Sequence, residues 1–155
     1  SSLADFGRRH VLILAVNART FDRLFAAATL PDPPADPVRH LVALAQEYHR
    51  FAAANRPAWA ALFAVDHGAA PPPDWYRAAM DRLFMPIIAP LSRALPDLSP
   101  QDRSLLARTL FSAVHGIVAL AMDRNSGGVP QQDVDRMLDL KTLGFLDEMQ
   151  RFSEE

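Results

Sequence analysis

The stretch SPQDRSLLARTLFSAVHGIVALAM, residues 99–122, carries most of the information about the fold. Ser99 followed by Pro100 is a helix start: a hydroxyl able to accept from the first free N–H groups, then a residue whose missing N–H costs nothing there. Asp102 falls in the first turn, where the helix dipole favours an anion. From Leu105 to Met122 the helix is apolar almost all round, which a helix packed on one core would not be, so it is expected to be covered on two sides. The segment from Gln131 to about Phe152 has the same excess: Val134, Leu138, Phe145, Met149 and Phe152 form one stripe, and Met137, Leu140 and Leu143 widen it. With Asn125-Ser126-Gly127-Gly128 as the turn, the two segments read as an antiparallel hairpin whose second face meets another copy of the chain. Ser112, Ala113, Gly116 and Ala119 keep part of the first helix slim. An intermolecular four-helix bundle with two-fold symmetry is therefore expected, with Ser112, Gly116, Ala119, Val134, Leu138, Phe145 and Met149 in the homodimer interface. The alternative is that both helices lie at the centre of a monomeric bundle.

Upstream, the same helical spacing recurs between proline-rich breaks. Ala (26) and Leu (20) far outnumber Ile, Val and Thr (17 together), which favours helix over sheet. Residues 8–29 place Leu14, Ala18, Phe21, Phe25 and Ala28 on one face. Asp36 and Pro37 start a second helix with the stripe Val38, Leu41, Val42, Ala45, Tyr48 and Ala52; Pro57 starts a short third that ends near Gly68. Asp74 caps a long segment carrying Met80, Phe84, Ile87 and Ile88, which Pro86 and Pro90 should bend near residues 82–86. The fold class is all-α, a helical bundle of about five to seven helices.

The chain of 155 residues, 50% apolar and 22% charged, is long enough for one domain with a real core. Without cysteine there is no disulfide framework and no thiolate chemistry. A net charge of −2 gives no basic excess of the kind nucleic-acid modules carry. The apolar runs are interrupted by Arg, Asp or Pro, so no membrane span is expected, and the start lacks the order of a signal peptide. The five histidines show no i, i+4 pair and no HExxH, so no metal and no cofactor is expected; no nucleophile elbow or phosphate-cradling loop is present either. An enzyme is not expected.

The opening residues Ser2-Leu3-Ala4-Asp5-Phe6-Gly7-Arg8-Arg9-His10-Val11-Leu12 resemble the end of the DNA-binding domain of the TetR (tetracycline-repressor) family. Phe6, Gly7, Arg9 and Leu12 stand at matching positions, with Leu3 where the family has an aromatic residue. Pro57-Ala58-Trp59-Ala60-Ala61-Leu62-Phe63, Asp74-Trp75-Tyr76 and Thr109-Leu110-Phe111-Ser112-Ala113-Val114-His115-Gly116-Ile117 resemble the C-terminal domain of a TetR subgroup marked by a Trp and a His-Gly pair. On this resemblance residues 1–7 are a remnant of the helix-turn-helix domain, most of which is missing, and residues 8–155 are the regulatory domain. The resemblance implies a cytoplasmic, one-component transcriptional regulator, usually a repressor. A small hydrophobic ligand would change the spacing of two heads on operator DNA, bound through the missing N-terminal region.

Arg8 and Arg9, beside that region, would contact phosphate, or are solvated arginines at a helix start. Phe21, Phe25, Trp59, Phe63, Met80, Phe84, Ile88, Phe111 and His115 are the candidate ligand contacts, each alternatively a plain core residue. His115, polar on an apolar helix, either orients a ligand or satisfies a buried partner such as a backbone carbonyl near Gly116. A helical carrier or sensor of apolar molecules without DNA function, and a purely structural dimerisation module, remain open as alternatives.

Overall fold

The computed structural model describes residues 2–68, 70–123 and 129–154, with the side chains of the last helix described through Arg151. Among these residues there are seven α-helices, one 3-10 turn and no strand. The turn expected at residues 125–128 and the side chain of Phe152 lie outside the described residues.

Helix α1, Ser2–Ala28, starts earlier than the spacing suggested and buries Leu14, Asn17, Thr20, Phe21 and Leu24. Its first half leaves Leu3, Phe6, Val11 and Leu12 exposed. Helix α2, Pro37–Ala54, begins as expected, with Asp36 accepting from the Val38 N–H at 3.1 Å. Asn55 ends it and opens α3, Arg56–Phe63, the Asn55 amide donating back to the Phe51 carbonyl while Arg23 of α1 donates to its side-chain oxygen. Residue 74 is the first residue of α4, Asp74–Asp81, with Pro73 rather than Asp74 in the cap position. The proline-induced bend takes the form of a full break, a 3-10 turn at Arg82–Phe84 before α5, Met85–Ala94. Helix α6, Pro100–Met122, is capped by Ser99, which accepts from the Asp102 N–H, and α7 is Gln131–Glu154.

Helix α2 is the hub, touching α1, α3, α5, α6 and α7. Its buried face (Leu41, Leu44, Ala45, Tyr48, Phe51 and Ala52) joins Leu91 of α5, Leu110, Val114 and Val118 of α6, and Val134, Leu138 and Leu146 of α7 in the main core. A smaller second core of Leu14, Phe21, Leu62 and Tyr76 lies between α1, α3 and α4. At its centre the buried Asn17 amide donates to the Ala61 carbonyl at 3.2 Å and the Tyr76 hydroxyl at 3.4 Å. That satisfies a polar group which would otherwise be costly to bury.

The last two helices correct one expectation. Helix α6 is long and apolar enough to cross a membrane by length and composition alone, a test that core helices also pass, and in the fold it buries Ala107, Leu110, Val114, Val118 and Ala121. Val134 and Leu138, expected in a dimer interface, are 0% exposed within one chain, because the i, i+4 register that aligns them also turns them onto α2 and α6. Ala119, Phe145 and Met149 pack half-buried against the same core. Ser112 and Gly116 are exposed, on the edge of α6 that also carries Leu105 and Leu120. On α7 the exposed apolar residues are Met137, Leu140 and Leu143, the ones that widened the stripe.

Leu138→Ala should therefore cost about 2–5 kcal/mol of unfolding free energy in urea titrations, as expected for a cavity in a closed core. A cost under about 0.5 kcal/mol, typical of a surface site, would contradict this packing.

Candidate functional site

Three polar side chains meet at the edge of the apolar core, Tyr48 and Trp59 buried and His115 half-buried. The Trp59 indole N–H of α3 donates to the Tyr48 hydroxyl of α2 at 2.9 Å, and that hydroxyl lies 2.7 Å from Nδ1 of His115 on α6. An indole nitrogen can only donate, so the phenol oxygen accepts from it. The phenol proton then has one acceptor in reach, the unprotonated Nδ1 of a neutral imidazole. All three groups are satisfied only in the order Trp59 to Tyr48 to His115. Burial supports this order, pushing the Tyr48 phenol far above its ordinary range and holding the His115 imidazole below its own, so both stay uncharged.

Rings close around the chain. Phe63, itself exposed, lies against His115 with centroids 4.1 Å apart, Phe111 stacks on His115 at 5.9 Å, and Phe84 meets Phe111 edge-on at 5.6 Å. With its Nδ1 engaged and its charge suppressed, His115 is no free base, and a phenol raised in this way is a poor acid. The cluster is a clasp between α2, α3 and α6.

Beside the clasp is a cavity of about 60 Å³, walled by Tyr48 and Phe111 together with Leu24, Ala27 and Ala28 of α1, Leu41, Leu44 and Ala45 of α2, Leu83, Pro86 and Ile87, and Leu110 and Val114 of α6. Its lining is hydrocarbon apart from the Tyr48 phenol and Glu47, whose carboxylate pairs with Arg50 at 3.2 Å. A space of this size holds roughly four water-sized groups, well below the ~300 Å³ of an open small-molecule site. Among the described residues no three His, Asp or Glu side chains converge as metal ligands would.

The helices that form the clasp and most of the cavity wall fall within residues 41–143, which match the family described as tetracyclin repressor-like, C-terminal domain. The chain belongs to that family. Its structure is similar to that of a protein of unknown function from Rhodococcus sp. RHA1, with 26% sequence identity and a TM-score of 0.72 over 90% of this chain and 72% of that one. No curated protein matches the sequence.

For this TetR-type domain, the expected ligand contacts divide into groups. Phe111 lines the cavity and Phe84 packs behind it, held on its other face by Arg108 at 4.6 Å. Trp59, Phe63 and His115 belong to the clasp, and the partner of His115 is the Tyr48 hydroxyl rather than a backbone carbonyl near Gly116. Ile88 packs on the main core. Phe25, half-buried with Arg82 4.7 Å above its ring, lines a second pocket between the end of α1 and α5, and Phe21 and Met80 sit with the second core. Arg8 and Arg9 are exposed on the first half of α1. Of the residues not anticipated as ligand contacts, Tyr48 matters most. Leu24 and Leu44 also escaped notice, although each stands three residues beyond a recognised stripe position, Phe21 and Leu41.

Tyr48→Phe leaves the Trp59 N–H without an acceptor and His115 without its donor, and should cost about 1–3 kcal/mol in urea unfolding. A neutral result would mean that the clasp does not hold the helices. The pH dependence has a definite sign. His115 has a folded pKa below its ordinary 6.5, and so do His40 and His49, so the unfolded chain binds more protons near that pH. Stability should be full above about pH 6.5 and decline as pH falls through that value. The decline should be smaller in His115→Asn. A urea midpoint that rises on acidification would contradict this.

Proposed function

We propose that this domain is the ligand-sensing and dimerising part of a one-component transcriptional repressor, in which a small hydrophobic ligand enters the cavity and moves α1. The observation that carries the reading is the position of α1. Its last turns, Leu24 to Ala28, wall the cavity, while its first turns stand exposed with Arg8 and Arg9. Because the cavity is far smaller than an ordinary ligand, a ligand cannot enter without pushing its walls apart. Helix α1 is one continuous rod of 27 residues, so a shift at its C-terminal end is carried to the N-terminal end, where the family resemblance puts the DNA-binding head. In a two-fold dimer such a shift changes the spacing of the two heads on operator DNA.

The exposed edge of α6 (Leu105, Ser112, Gly116 and Leu120) and the exposed Met137 and Leu140 of α7 supply the dimer face. A Cβ built at Gly116 or Gly144 meets nothing within 4 Å, leaving room for a partner helix to approach. A regulator that acts on operator DNA would work in the cytoplasm, where that DNA is.

Light scattering after size exclusion should give twice the 17.1 kDa chain mass. Leu120→Glu combined with Leu140→Glu should give the monomer with its helical spectrum intact. A wild-type monomer at micromolar concentration, or a double variant that still dimerises, would reject this interface. A thermal-shift screen of apolar small molecules should raise the melting temperature, and a flat response across the screen would reject ligand sensing.

A further inference from the structure

A second and larger pocket, of about 330 Å³, opens outside the first, between the end of α1, the loop before α2, and α5. Ala28 and Pro86 line both spaces and form the partition between them. At the outer pocket His40 is one wall, and Arg93 of α5 reaches it: the guanidinium donates to His40 Nδ1 at 3.0 Å and to the Ala35 carbonyl at 3.5 Å. A guanidinium only donates, so His40 accepts at Nδ1 and, as a neutral imidazole, carries its proton on Nε2. Burial and the adjacent Arg93 both favour that neutral form. Arg93 does not itself line the pocket but stands behind His40, so a permanent positive charge with N–H donors to spare lies one hydrogen bond from the pocket wall. No Asp or Glu lines the outer pocket; of the two acids in the adjoining loop, Asp36 is engaged as the cap of α2 and Asp32 is exposed between the lining residues Leu30 and Pro33.

The inner chamber has the opposite character. Its one charged wall residue is Glu47, an acid already paired with Arg50, and the rest is hydrocarbon but for the Tyr48 phenol. An anionic group is repelled and desolvated inside and is welcomed at the mouth, whereas an alkyl chain gains by leaving water for the chamber.

We propose that the ligand is an aliphatic monocarboxylate of medium chain length, its carboxylate held at the His40 wall by Arg93 turning in from behind that residue, and its chain passing between Ala28 and Pro86 into the inner cavity. This rests on the ligand-sensing reading above and names the class of ligand. Carboxylate on guanidinium is the strong, charge-assisted kind of hydrogen bond, so the head group supplies orientation and the tail supplies the displacement of α1.

Calorimetric titration of the intact chain with decanoate, decanol and decylamine, each below its micelle-forming concentration, tests the assignment. Decanoate should bind best. Arg93→Gln should weaken decanoate by roughly tenfold to a hundredfold, as expected for losing a charged hydrogen bond. Arg93→Lys should restore most of that loss, and neither variant should move decanol. Ala28→Phe, which narrows the passage, should weaken decanoate and decanol alike. If Arg93→Gln does not fold, the preference of the wild type for decanoate over decanol and decylamine carries the test, and its absence overturns the proposal. Equal binding of decanoate and decanol, both indifferent to Arg93→Gln, would overturn the carboxylate anchor and leave the apolar cavity standing. Tighter decylamine binding would overturn it in favour of Glu47, indifference to Ala28→Phe would place the chain elsewhere, and no binding of any probe would overturn both readings.

Discussion

The Tyr48 hydroxyl accepts from one helix and donates to another while sitting on a third, and the arrangement of the domain depends on that double use. Helix α3 has eight residues, too few to be stable alone, so its place is set by what Trp59 and Leu62 bury and by the indole hydrogen bond. Helix α6 brings a half-buried imidazole against the apolar core, and the proton offered to it there offsets the cost of withdrawing it from water. Both needs are met by one phenol on α2, the helix that touches most of the others. The same side of α2 supplies Leu41, Leu44 and Ala45 to the cavity, so the clasp and the cavity wall share one rigid element.

Helix α1 is held differently along its length. From Leu14 onward it is pinned by the second core and by Asn17, whose amide reaches both α3 and α4, and its last turns border the cavity. Before Leu14 few of its side chains touch the body. The break between α4 and α5 follows from Pro86, which cannot continue the helix and instead brings its ring to the partition between the two pockets. Sequence punctuation and cavity geometry therefore have a common cause: the residue that interrupts the helix also lines both pockets.

Much of the fold was legible because its signals are local. The starts at Asp36-Pro37 and Ser99-Pro100 need only a side-chain oxygen and a proline in adjacent positions, and both helices begin there. The excess apolar surface of α6 and α7 was equally plain in the spacing. Which side of each helix faced inward was not, because Val134 and Leu138 look the same in sequence whether they meet their own core or a partner's. The site was legible in part. Phe111 and His115 stood out by residue type, but Tyr48 is 67 residues from His115 and 11 from Trp59, and nothing in local spacing signals that their polar atoms converge. The separation of Phe21 and Met80 from Phe111 has the same origin, since it follows from how α1 and α4 pack rather than from any feature of those residues.

The most direct measurement is the tautomer of His115, read from its imidazole nitrogen shifts by NMR across the pH range around neutrality. A Trp59 to Tyr48 to His115 order of donation requires a neutral ring with Nε2 protonated and Nδ1 accepting, titrating below its ordinary pKa of 6.5. A protonated Nδ1, or a ring that titrates at or above the ordinary value, would contradict it.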